Sequence, residues 1–216
     1  MNKWMIKPIL KKLYHSVFGR VLAGIYNKFF TSIHKPRMLW GYSDLQGGWK
    51  EKTRISSSAL FYAQNNISIE NNVYIGHYCI LDGVGGLRIE EGTQISSRVA
   101  IYTHSSHVAI RLYGYHYTDT HEKDMKGFFI APVTIGRFVY IGTNVTILSG
   151  VNIGDGALVA AGSIVKEDIK SFQCVAGSPA RVVGTTKQMD KSYLSDPKIK
   201  KWYDEWCHTV PSQFDN

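Results

Sequence analysis

Residues 133–156 read VTIGRF VYIGTN VTILSG VNIGDG, and this stretch decides the fold. Every unit opens on valine and carries isoleucine two places later, at Ile135, Ile141, Ile147 and Ile153. The grid continues through Val159 and Val165, with Ala157 and Ser163 as the smaller partners. Upstream it returns as Ile69, Ile75 and Leu81, with partners Ile67, Val73 and Cys79. A slip near Gly83–Gly86 separates these from Ile89, Ile95 and Ile101, whose partners are Leu87, Thr93 and Val99; Ile55 and Phe61 extend the grid backwards. A period of six fits neither a helix nor a long alternating strand. It suits a short strand and a corner, with two inward side chains two apart as the pleat requires. Thr143-Asn144, Ser149-Gly150, Asp155-Gly156 and Ala161-Gly162 stand between the strands. Asn or Gly at the second place tolerates the positive φ of such a corner. Three units close one triangular coil, so the expected fold is an all-β solenoid, a parallel β-helix of hexapeptide repeats over 55–185. A β-sandwich would space its turns by about 8–12 residues.

The ends of the chain are composed differently. No acidic residue precedes Asp44, whereas Lys3, Lys7, Lys11, Lys12, Arg20, Lys28, Lys35 and Arg37 do. The basicity of the chain, +8 overall, therefore belongs to an appendage, residues 1–45. Apolar Ile6, Ile9, Leu10, Leu13, Val17, Val21, Ile25 and Phe29 recur at helical steps, predicting an amphipathic helical segment over 3–33. A basic helix of this kind suits a membrane surface, the alternative being a cap on the coil or on a neighbouring subunit. Nucleic acid is a poorer match, because the bases share their segment with so many apolar residues. Residues 186–216 form a tail with a short helix from Pro197 to Cys207. No apolar run approaches the ~20 residues of a membrane span. Three distant cysteines without metal-ligand spacing point to unpaired thiols in a reducing, cytoplasmic compartment, peripheral at the inner face of the membrane if the N-terminal segment binds there.

Between Ile101 and Ile135 the grid opens into a long excursion loop over 102–131. It contains Tyr102, Tyr113, Tyr115, Tyr117, Phe128 and Phe129, so it should pack rather than wander. His104, His107, His116 and His121 also lie in it.

The runs Val133–Gly156, Ala161-Gly162-Ser163-Ile164-Val165 and Ala176–Val182 resemble those of hexapeptide-repeat acyltransferases, nearest to sugar and polysaccharide O-acetyltransferases. The resemblance covers roughly residues 55–185. It implies a left-handed coil, a homotrimer with active sites between subunits, acetyl-CoA as co-substrate with no metal, and a sugar or polysaccharide acceptor. Transfer to a sugar hydroxyl needs a base, for which neutral imidazole is suited. The resemblance places that base just after the strand ending at Ile101. His107 is the first candidate, with His104 as the alternative base or an acceptor ligand. It further implies an oxyanion-binding amide at Thr143 and a cofactor path along Tyr140, Gly142, Thr143 and Ala161. Lys166 and Arg181 would meet the phosphates, and Asp82 an acceptor hydroxyl.

Other functions compete with this expectation. The same chemistry serves an amino-sugar N-acetyltransferase or a xenobiotic O-acetyltransferase. A zinc enzyme similar to carbonic anhydrase would draw on His77, His116 and His121. A non-catalytic β-helix would only scaffold partners.

Overall fold

A computed structural model describes residues 21–22, 24–26, 28–29, 32, 35–43 and 48–209. The expected helix over 3–33 lies partly outside the described residues; those described between 21 and 32 are helical. The chain divides into two units, Met1–Arg37 and Met38–Asn216. The second unit is a parallel β-helix with three faces, of eight, five and four strands.

Like stacks on like along each face. Ile55, Ile75, Ile95, Ile141 and Val159 pair in register on the eight-stranded face. Phe61, Leu81, Ile101, Ile147 and Val165 do so on the five-stranded face, and Ile69, Ile89, Ile135 and Ile153 on the four-stranded one. The inward isoleucines from Ile69 to Ile147 are completely buried, so the grid read from sequence is the core itself. Thr53, Thr93 and Ser163 take inward places and are also fully buried. Each hydroxyl donates to a backbone carbonyl and accepts from a backbone amide, as Thr93 does between Gly136 O (2.7 Å) and Val139 N (3.2 Å). A polar inward residue is thereby satisfied and costs little.

Antiparallel strands close both ends of the eight-stranded face. Met38–Ser43 pairs with Trp49–Ser56, and Ala180–Thr185 with Gln173–Gly177. The first of these strands belongs to the coil unit and not to the appendage expected over 1–45. Its backbone covers hydrogen-bonding groups that an open edge would leave bare. At the far end Pro197–Cys207 forms the expected helix, capped by Asp196 Oδ1 accepting from Lys198 N and Ile199 N.

The slip near Gly83–Gly86 has a counterpart that the sequence hid. Inward residues Phe61 and Ile69 are separated by eight positions, as are Leu81 and Ile89, at the corner joining the five- and four-stranded faces. One coil later the excursion leaves from this same corner. It is sealed at its neck by an antiparallel ribbon, His104↔Ile130 and Ser105↔Phe129, and contains a short helix, Ala109–Tyr113.

Corner residues adopt left-handed backbone, which costs a bulky side chain ~1–2 kcal/mol. Four such residues are bulky: Phe138 and Phe172 at one corner, Tyr78 and Arg98 at another. The phenylalanines offset the cost by packing. Trp206 of the C-terminal helix packs at a tilt against both, with centroids 4.7 and 5.7 Å away, and lies over Gly156 between them. Tyr78 is 58% exposed, and Arg98 is exposed as well.

Candidate active site

The widened corner places Asp82 directly above the start of the excursion. Asp82 follows inward Leu81, and Thr103 and His104 follow inward Ile101 on the next coil. The Asp82 side chain is buried, with Oδ2 2.6 Å from His104 Nδ1. Thr103 N donates to the same oxygen at 2.8 Å, and Val84 N donates to Oδ1 at 2.9 Å. Burial by itself pushes the Asp82 carboxyl up. The amides of Val84 and Thr103, with His104, outweigh it and hold the pKa below the ordinary carboxylate value. Asp82, expected beside an acceptor hydroxyl, has both carboxylate oxygens engaged by this chain.

His104 is part-exposed and opens on a cleft of about 680 Å³, lined also by His107, Phe129, Leu148 and Lys166. Its ring lies nearly parallel to Phe128 at 5.9 Å between centroids. His107 stacks on Phe129 at 5.3 Å, and its Nδ1 meets Ser105 Oγ at 2.8 Å. Arg111 donates to the His107 carbonyl. The two histidines therefore share a cleft but differ in partner, a buried carboxylate for His104 and a hydroxyl for His107. The aromatic content of the excursion predicted packing. That Phe128 and Phe129 would lie on these two imidazoles had no signal in the sequence.

Lys166 is the cleft's cation. Its Nζ lies 3.6 Å from Glu167 Oε1, and Arg181 Nη1 approaches the same oxygen at 3.5 Å. Tyr140, Gly142, Thr143 and Ala161 do not line this cleft. They lie on the eight-stranded face and the corner after it. There Gly142 passes so close to the next coil that a Cβ would sit 2.5 Å from Ala161 N. Thr143 Oγ1 donates to Ser97 O at 2.6 Å, Thr143 O accepts from Gly162 N at 2.8 Å, and Tyr140 OH accepts from Ser96 Oγ at 3.2 Å. Of the histidines suited to zinc, His77 Nδ1 is 2.6 Å from Ser56 Oγ. Among the described residues no three His, Cys, Asp or Glu side chains group as metal ligands would. No described helix is long and apolar enough to cross a membrane.

Comparison with known proteins agrees with this architecture. Residues 132–167 match the family described as bacterial transferase hexapeptide (six repeats). The chain is 30% identical over 159 residues to a dTDP-4-amino-4,6-dideoxy-D-glucose acyltransferase of Escherichia coli, covering 62% of this chain and 79% of that one. It is 37% identical over 131 residues to the Saccharomyces cerevisiae protein YJL218W, named only provisionally as an acetyltransferase; the match spans 59% of this chain and 60% of the relative. Among solved structures, the N-acyltransferase AntD of Bacillus cereus, in complex with dTDP and 3-hydroxybutyryl-CoA, superposes with a TM-score of 0.53 at 22% identity. That match covers 68% of this chain and 89% of AntD. Repeat, coil and relatives agree: the chain belongs to the hexapeptide-repeat acyltransferases of the left-handed β-helix fold.

Proposed function

We propose that the protein transfers an acetyl group from acetyl-CoA to a sugar hydroxyl during cell-surface polysaccharide synthesis, with His104 as general base. The observation that carries this reading is the buried Asp82 carboxylate 2.6 Å from His104 Nδ1. An ionised carboxylate can only accept, so Nδ1 bears the proton and Nε2 the lone pair. Nε2 takes the hydroxyl proton as the sugar oxygen attacks the thioester carbonyl. The tetrahedral intermediate collapses with cleavage of the C–S bond, and the imidazolium returns the proton to the departing sulfur. Asp82 stabilises the imidazolium between these events.

The Thr143 amide is assigned to the oxyanion, and Tyr140, Gly142 and Ala161 to the pantetheine path. Lys166 and Arg181 serve the donor's phosphates, which displace Glu167. Tyr140, Gly142, Thr143 and Ala161 lie at a different corner of the β-helix from the His104 cleft, which only Lys166 of the donor residues lines, so a second copy is assigned to complete each site, in keeping with a homotrimer. His107 is assigned to the cleft wall beside the acceptor.

Similarity to the Escherichia coli amino-sugar acyltransferase favours a second reading, N-acylation of an amino sugar. An amine must also lose a proton, and the same base serves. Thiol release from acetyl-CoA against neutral sugars, amino sugars and nucleotide sugars separates the readings. A sugar hydroxyl acceptor is expected to raise the rate. Release by amino sugars alone would select the second reading, and no acceptor-dependent release would refute both.

The acid-free N-terminal segment is assigned to an anionic lipid surface, at ~1 kcal/mol for each base near the headgroups. The full chain should co-sediment with phosphatidylserine vesicles at low salt. Replacing Lys3, Lys7, Lys11 and Lys12 by glutamate should abolish this, and equal partitioning of the two proteins would refute it.

A further inference from the structure

Tyr78 and Arg98 occupy equivalent places on neighbouring coils, at the corner after the eight-stranded face. Their φ values are 59° and 61°. On the coils that follow, the same place belongs to Asn144 (φ 57°) and Gly162 (φ 74°), residues at ease in this conformation. The column is continuous by hydrogen bonds. Arg98 N donates to His77 O at 2.8 Å, Asn144 N to Ser97 O at 3.2 Å, and Gly162 N to Thr143 O at 2.8 Å. Arg98 thus stands one coil from Thr143, and Tyr78 one coil further.

Asparagine or glycine would suit this corner at all four levels. Phe138 and Phe172 hold the same backbone in exchange for packing on Trp206, but Tyr78, beyond a tilted contact with the His77 ring at 6.3 Å, and Arg98 turn to solvent. Unfavourable backbone with little packing in return is characteristic of ligand sites. We propose that Tyr78 and Arg98 form the part of the acceptor site that reads an anionic group, a phosphate or a carboxylate carried by the sugar. The guanidinium supplies a planar pair of donors for either oxyanion. The phenol ring supplies an apolar face for the adjoining sugar, and its polar tip stays wet. The inference rests on the proposed site shared between copies, with the donor path of Gly142, Thr143 and Ala161 and this corner supplied by one copy and the His104 cleft by its neighbour.

The test uses Arg98→Asn and Tyr78→Asn in the full chain, since Asn144 shows that this corner accepts asparagine. Each variant should melt about 2–4 °C above wild type through relief of the backbone. Glucose, glucose 1-phosphate, dTDP-glucose and glucuronic acid are the probes, titrated by calorimetry and also offered as acceptors. Arg98→Asn should weaken binding of the phosphorylated or the carboxylated probe about tenfold or more, and leave glucose unchanged. The arm that responds identifies the anion. Tyr78→Asn should weaken the anionic and the neutral probes alike. Failure of wild type to bind any anionic probe better than glucose would overturn the proposal, and so would equal binding by wild type and Arg98→Asn. Calorimetry reads this without turnover, so absence of thiol release would count against the transferase reading and not against the anion site.

Discussion

His104→Ala is expected to lower kcat for acetyl transfer by about 10²–10⁴-fold, the range removed with a positioned general base. His104 is part-exposed at the neck of the excursion, and its ring contributes a stack on Phe128 and one bond to Asp82. Its loss should therefore leave the coil folded, with an unchanged far-ultraviolet circular dichroism spectrum. KM for acetyl-CoA should change little, because the proposed donor contacts, Lys166 excepted, lie outside the His104 cleft. His107→Ala should lower kcat less, since Ser105 Oγ cannot stabilise an imidazolium as a carboxylate does. A variant without His104 that turned over at the wild-type rate would remove the base from the mechanism.

Asp82→Asn is the second large effect, and it acts in two ways. Asparagine can present an N–H where the carboxylate accepted, which turns His104 to the opposite tautomer. A loss in kcat on the order of 10⁴ is expected by analogy with other histidine–carboxylate pairs. The amides of Thr103 and Val84 also lose part of their acceptor, for about 1–3 kcal/mol of stability. The sign with pH follows from the lowered folded-state pKa of Asp82. Its contribution is fully present above the unfolded value, ~3.9, and is lost as pH falls through the folded value. Urea denaturation should show wild type more stable than Asp82→Asn at neutral pH, with the gap closing below about pH 4. A gap that held constant to lower pH would show that Asp82 is not ionised in the fold.

Sequence and structure meet unevenly in this protein. The inward grid was legible because each coil repeats one burial pattern, and every isoleucine from Ile135 to Ile153 fell where the period placed it. The excursion was legible as a break in that period. Its carboxylate partner was not. Asp82 and His104 are 22 positions apart, and their meeting depends on the register of two coils and on a corner widened by two residues. The sequence showed that widening once, near Gly83–Gly86, and hid it between Phe61 and Ile69, where Ala63 takes the left-handed turn. His107 ranked ahead of His104 in the sequence because spacing was the only criterion available. Geometry adds the partner, and the proposal of His104 as base rests on that partner. Tyr78 and Arg98 were silent for a related reason, since only the backbone shows that they hold a conformation suited to asparagine or glycine.

The most direct test of the central claim is one acceptor assay run side by side on wild type, His104→Ala and His107→Ala, following acetyl-ester formation on the sugar that supports thiol release. Product is expected from wild type and, more slowly, from His107→Ala, and at most about 1% of the wild-type rate from His104→Ala. Robust product from His104→Ala together with none from His107→Ala would contradict the assignment of the base to the histidine that Asp82 holds.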